Sequence, residues 1–78
     1  MEFDFRKLRG RIVEKFGNLT NFAEKMGKSK GWLHNRLTGL AQFSSEEIVR
    51  ACAPDMLDIP AEDIPTYFFT PKVPLSEL

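Results

Sequence analysis

The chain has 78 residues, of which 42% are hydrophobic and 28% charged, which suits one small soluble domain and is too short for two. No apolar run approaches the roughly 20 residues of a membrane span, and the charged N-terminal segment is unlike a secretory signal. Since the only cysteine is Cys52 and the only histidine is His34, we expect a cytoplasmic protein with no internal disulfide, metal or cofactor.

The net charge of zero hides an uneven distribution along the chain. Residues 1–39 carry nine Lys and Arg against four Asp and Glu, for a net charge of +5, whereas residues 40–78 carry two against seven, for −5. One half of the domain can therefore face an anion while the other half faces water. A chance split of a solvated surface is the alternative interpretation.

The first predicted helix starts near Phe5 and ends at Gly17. Asp4 is a good N-cap, and Phe3 before it can pack on Leu8 as a hydrophobic staple. Apolar residues recur at three- and four-residue spacing, which places them on one face of this helix. These residues are Phe5, Leu8, Ile12 and Phe16.

Two short helices joined by a tight turn are predicted next. Asn18 caps a helix of about eight residues that Gly27 terminates, and its inward residues are Phe22, Ala23 and Met26. Ser29 caps a third helix, from Lys30 to about Thr38, with Gly39 as its stop. Helices joined by so short a turn cross steeply.

The last predicted elements are a fourth helix and a set of broken turns. Ser44 and Glu47 form a capping box, and the apolar face of the helix comprises Ile48, Val49, Ala51 and Cys52. Prolines predict broken helical turns over Ala61–Phe68 rather than one long helix, and an extended tail over residues 70–78. The residues expected to close the core are Leu57, Ile59, Ile64, Tyr67 and Phe68.

The segment 18–38 carries the pattern of a helix-turn-helix. Such a motif needs a small residue where the two helices touch, a glycine at the turn, and an apolar residue where the second helix packs on the first. Ala23 is the small residue, Gly27 the turn glycine, and Leu33 the apolar residue of the second helix. Their spacing resembles the helix-turn-helix of the Cro and lambdoid phage-repressor superfamily. The ending ACAPDMLDIPAEDIPTYFFTPKV also resembles small phage-associated proteins of Gram-positive bacteria, which are predicted regulators.

The resemblance covers residues 5 to about 69 and implies a compact all-α, five-helix DNA-binding domain over residues 1–69, with its helix-turn-helix in helices 2 and 3. It implies base-reading side chains at Lys30, Gly31 and Asn35 on helix 3. The chain departs from the superfamily at Leu19, often a phosphate-contacting Gln, at Arg36, usually apolar, and at Gly31, which offers no side chain. Further residues placed to touch phosphates or neighbouring bases are Asn18, Thr20, Asn21, Lys28, Ser29, His34, Arg36 and Thr38.

Two functions are compatible with this sequence. The first is a phage-type transcriptional regulator that reads double-stranded operator DNA as a homodimer, with the acidic half and Phe69, Val73 and Leu75 as candidate dimer surfaces. The second is a protein-interaction module on the same fold, such as an antirepressor or a phage assembly subunit, which the neutral net charge and Leu19 favour. No nucleophile–base pair or phosphate-cradling glycine loop is evident, so we expect neither an enzyme nor a small-molecule substrate.

Overall fold

The structure is a computed structural model that describes residues 3–72. Within that range the chain forms five α-helices and one 3₁₀ turn, and no strand. The all-α class and the five-helix series are therefore confirmed. The helices are α1 (Arg6–Phe16), α2 (Leu19–Lys25), α3 (Lys30–Leu37), α4 (Ser45–Ala51) and α5 (Ile64–Phe68), and the 3₁₀ turn, Ala61–Asp63, directly precedes α5.

Side-chain caps start α2, α3 and α4 at the predicted residues. The side-chain oxygens of Asn18 and Ser29 accept the backbone N–H three residues further on, at 2.8 and 3.0 Å. Ser44 and Glu47 form the predicted capping box, in which each side chain accepts the backbone N–H of the other residue, at 3.1 and 2.9 Å. These bonds satisfy amides that would otherwise lack partners at the helix starts.

The turn between α2 and α3 depends on one glycine and one alanine. Gly27 has a φ of +76°, in the left-handed region, and the next amide, Lys28 N–H, bonds back to the Ala23 carbonyl at 2.9 Å. Ala23 is fully buried, and Leu33 of α3 is buried with it in the core. Gly27 thus has the left-handed conformation expected at the turn, and Ala23 and Leu33 are buried as expected.

The core draws on every helix and on the loop between α4 and the 3₁₀ turn. One predicted core residue is wrong: Val49 is 69% exposed, because a step of one residue along an α-helix rotates it about 100° away from buried Ile48. Of the residues predicted to close the core, Ile64 and Tyr67 are half-buried and pack against it. The buried residues are Leu8, Ile12, Phe22, Ala23, Met26, Leu33, Leu37, Ile48, Ala51, Cys52, Met56, Leu57, Ile59 and Phe68.

Arg11 ties α1 to the loop that follows α4. Its Nε donates to the carbonyl of Leu57 at 2.8 Å and its Nη2 to the carbonyl of Asp58 at 2.9 Å. Asp58 has a φ of +52°, so the backbone turns sharply at this point. Arg11 is thus part of the framework of the domain.

The two ends of the described chain lie side by side. The Asp4 N–H bonds to the Thr70 carbonyl at 2.7 Å, and Phe3, predicted to pack on Leu8, packs edge-on against Phe5 and Phe69. The division into a domain and a tail at residue 70 stays a prediction. Val73 and Leu75, proposed for a dimer surface, lie outside the described residues. No helix over residues 3–72 is long and apolar enough to span a membrane.

Candidate nucleic-acid interface

One side of α3 is polar and open to solvent. We call it the α3 face, and its members are Lys30, Gly31, His34 and Asn35, all exposed. Leu33 and Leu37 are buried on the opposite side of the helix, which is why these four residues point outward. Within residues 3–72 no hydrogen bond involves the side chains of Lys30, His34 or Asn35. Their polar groups are therefore available to a ligand.

The three positions predicted to read bases lie together on this face. Lys30 is the first residue of α3, Gly31 is the second, and Asn35 follows one helical turn later. Gly31 has ordinary helical backbone, and a Cβ built there would meet only the Ser29 hydroxyl, at 3.8 Å. Gly31 therefore contributes no side chain to the α3 face.

Four other predicted contact residues have polar groups that already serve the fold. Asn18 and Ser29 cap α2 and α3, as described above. The Asn21 amide donates to the last carbonyl of α1 at 2.9 Å, and the Thr38 hydroxyl donates to an α3 carbonyl at 2.9 Å. All four are exposed, whereas Thr20 is half-buried. These side chains hold the ends of the helices that carry the α3 face.

Arg36 is turned away from the α3 face. Its guanidinium carbon lies 4.7 Å from the centre of the Trp32 ring, and its Nε lies 3.5 Å from Glu47 Oε1 on α4. The side chain is 20% exposed. The neighbouring Leu37 is buried and packs in the core in place of Arg36.

Trp32 is half-buried and lies between the core and two cationic side chains. Its ring meets Phe43 edge-on at 6.0 Å, and the Lys28 ammonium lies 5.8 Å from its centre. Cations over an indole face are attracted by the ring quadrupole. The indole N–H is buried and makes no hydrogen bond of ordinary geometry with the described residues.

Glu47 carries a negative charge next to Trp32 and Arg36. Burial alone would raise the pKa of Glu47, but the Ser44 backbone N–H, the Arg36 guanidinium and the Trp32 indole together lower it below its ordinary value. Because the indole N–H of Trp32 forms no hydrogen bond of ordinary geometry, it acts on the Glu47 carboxylate as a nearby dipole. The carboxylate therefore stays ionised at neutral pH and balances the charge of Arg36.

Comparisons with known proteins agree with a small helical phage protein. The sequence matches one family over residues 1–71. The chain belongs to the family DUF739, described as a protein of unknown function. Its fold is similar to the solution structure of the modulator of repression (MOR) of the temperate bacteriophage TP901-1 from Lactococcus lactis. That protein is 36% identical, with a TM-score of 0.76, over 88% of this chain and 90% of the other. No curated protein matches the chain.

Two features near the α3 face are not predicted by the sequence. Phe43, between α3 and α4, packs edge-on against Phe5, Trp32 and Phe68, with ring centres 5.8, 6.0 and 5.2 Å apart. The rings of Phe5, Phe43 and Phe68 line a cleft of about 100 Å³. The second feature is the pairing of Arg36 with Glu47. The sequence pattern assigns Glu47 only to the capping box of α4.

Proposed function

We propose that the protein is a phage-type regulator that modulates repression and that the α3 face is its binding surface. The likeness to the MOR protein, at 36% identity over 88% of this chain, supports the regulatory class. The observation that supports the surface is the set of exposed side chains on α3 that are not hydrogen-bonded within residues 3–72. A polar helix face held rigidly on a small core suits recognition of a macromolecule.

Operator DNA is the first partner that we propose for the α3 face. In this proposal α2 and α3 act as a helix-turn-helix, and α3 enters the major groove. Asn35 pairs with adenine through its amide, Lys30 donates to guanine acceptors, and Gly31 lets the backbone come close to the DNA. Each good base contact of this kind discriminates by about 1 to 3 kcal/mol.

A homodimer is part of this proposal. One short reading helix touches only a few base pairs, and paired half-sites lie about 34 to 36 Å apart, one helical turn of DNA. A second copy therefore supplies the second reading helix. Light scattering should detect a dimer on specific DNA, and a monomer both free and on that DNA contradicts this part of the proposal.

Salt dependence tests the DNA partner directly. The logarithm of the binding constant for a duplex falls with the logarithm of salt concentration by about 0.9 for each phosphate that the protein neutralises. Lys30→Ala and Asn35→Ala should both weaken binding to a duplex selected from random sequences. Lys15→Ala is the matched control, since Lys15 is an exposed cation on α1. Equal effects at Lys30 and Lys15 contradict a reading role for the α3 face.

A protein of the repression system is the second candidate partner. Arg36 is turned into the domain, which leaves Lys28 and Lys30 as the cations at the start of α3. With the net charge of zero, this lowers the attraction for a phosphate backbone. A flat salt response, or no binding to any duplex, favours this candidate. The same α3 variants then serve to test binding to the protein partner.

A further inference from the structure

We infer that Arg36 is a positioning residue that sets the orientation of the α3 face and does not itself touch the partner. The inference rests on the proposed function of that face. It concerns a group of four side chains, which we call the Arg36 cluster: Trp32 and Arg36 of α3, Phe43 of the loop between α3 and α4, and Glu47 of α4. The sequence-based expectation for Arg36 is the opposite, namely a contact with phosphate.

The two ends of α3 are held in different ways. Its first turn is held by the Ser29 cap and by the turn to α2. Its last turns have Leu37 in the core, and their side-chain link to α4 is the pairing of Arg36 with Glu47. Because the orientation of a helix requires restraint at both ends, the Arg36 cluster controls how the residues near Asn35 are presented.

Glu47 is a fixed point to which Arg36 is attached. Its Oε1 accepts the Ser44 backbone N–H at 2.9 Å as part of the capping box, and its side chain is 17% exposed. The carboxylate is thus held by the start of α4 whether or not Arg36 is present. Arg36 reaches it from the flank of α3 while stacking on Trp32, so the side chain spans the gap between the two helices.

The charge of the cluster argues against a role in phosphate binding. The guanidinium is paired with an ionised carboxylate and covered on one side by an indole ring. A cation that is neutralised inside the protein releases no counterion from DNA. A contacting residue and a positioning residue therefore differ in a measurable way. Loss of a contacting cation makes the salt dependence of DNA binding less steep, whereas loss of a positioning residue weakens binding and leaves the salt dependence unchanged.

Arg36→Met is the central variant, since its unbranched side chain still covers the Trp32 ring but lacks the charge. On a duplex selected from random sequences we expect Arg36→Met to bind about tenfold more weakly with an unchanged salt slope. Lys30→Met is the matched contact variant: it removes a cation that lies against the DNA and displaces a counterion, so it should lower the magnitude of the slope by about 0.9. An Arg36→Met variant that lowers the slope in the same way, or that binds like the wild type, overturns the inference.

Glu47→Gln tests whether Arg36 acts through Glu47. Glutamine preserves the capping box but removes the charge, so α4 keeps its start. The Arg36→Met and Glu47→Gln losses in affinity should be strongly non-additive, because they remove the same link. Arg36→Lys, which keeps the charge but lacks the planar guanidinium, should restore only part of the affinity. Additive losses contradict a shared role.

Amide hydrogen exchange tests the inference without any DNA. In Arg36→Met the Thr38 N–H, which bonds to the His34 carbonyl at 3.0 Å, should exchange faster. The Met26 N–H, which bonds to the Phe22 carbonyl at 3.0 Å at the end of α2, should keep its wild-type rate. Equal acceleration at both sites is general destabilisation and overturns the inference. If the wild type binds no duplex, the DNA proposal fails, and this comparison still decides the role of Arg36.

Discussion

Gly31→Ala tests the conformation of the α3 face. Gly31 lies in the first turn of α3 with ordinary helical backbone, and a new Cβ would meet the Ser29 hydroxyl at 3.8 Å, an ordinary contact. Alanine is favoured over glycine by about 1 kcal/mol inside a helix, and by less in the first turn. We therefore expect the free energy of unfolding to rise by about 0.5 kcal/mol. For a domain of this size that corresponds to an increase in Tm of about 2 to 4 °C.

Thermal and urea unfolding, followed by far-UV circular dichroism, measure this change. Gly27→Ala is the matched control: its site also has open space, but its φ of +76° costs an alanine about 1 to 2 kcal/mol. A destabilised Gly31→Ala variant would refute the reasoning. If Gly31→Ala is more stable but binds its partner more weakly, the absence of a side chain at Gly31 allows the partner to approach the α3 face closely.

Three further predictions concern the framework around that face. Arg11→Met removes two charged hydrogen bonds to loop carbonyls and should cost about 2 kcal/mol in urea unfolding, whereas Lys15→Met should change stability by less than about 0.5 kcal/mol. Phe43→Ala should cost about 3 kcal/mol by the same assay, the low end for a buried Phe because this ring is half-buried. Because the pKa of Glu47 is lowered in the folded state, its carboxylate adds stability at pH values above the ordinary pKa of a glutamate, and this contribution is lost as pH falls through the folded pKa. Glu47→Gln should therefore be less stable than wild type at neutral pH, and the difference should shrink as the pH is lowered until Glu47 is protonated in the folded state.

The features that the sequence predicts well are local in the chain. Asn18, Ser29 and Ser44 act on amides within three residues, and the conformation of Gly27 follows from the turn that it must make. Such features depend on short-range backbone geometry, which spacing alone can reveal. The start of every capped helix and the tight turn between α2 and α3 were therefore predictable.

The features that the sequence misses depend on how the helices pack. Arg36 and Glu47 are 11 residues apart, and no pattern predicts that their side chains meet. Val49 is apolar like a core residue but lies on the solvent side of α4. Arg11 has the charge typical of a surface residue, but its guanidinium binds two loop carbonyls. The available cations at the candidate site are accordingly fewer than the charge of residues 1–39 suggests.

This reduction has a measurable consequence for the DNA proposal. If Lys28 and Lys30, the exposed cations at the start of α3, each displace one counterion from DNA, the expected salt slope is about −2 for one protein molecule and about −4 for a dimer. A slope of about −6 or steeper requires cations beyond Lys28 and Lys30, for which exposed Lys7 on α1 is a candidate. A slope near zero contradicts the DNA partner itself. The salt slope therefore tests the partner and, once DNA binding is established, also the number of protein copies.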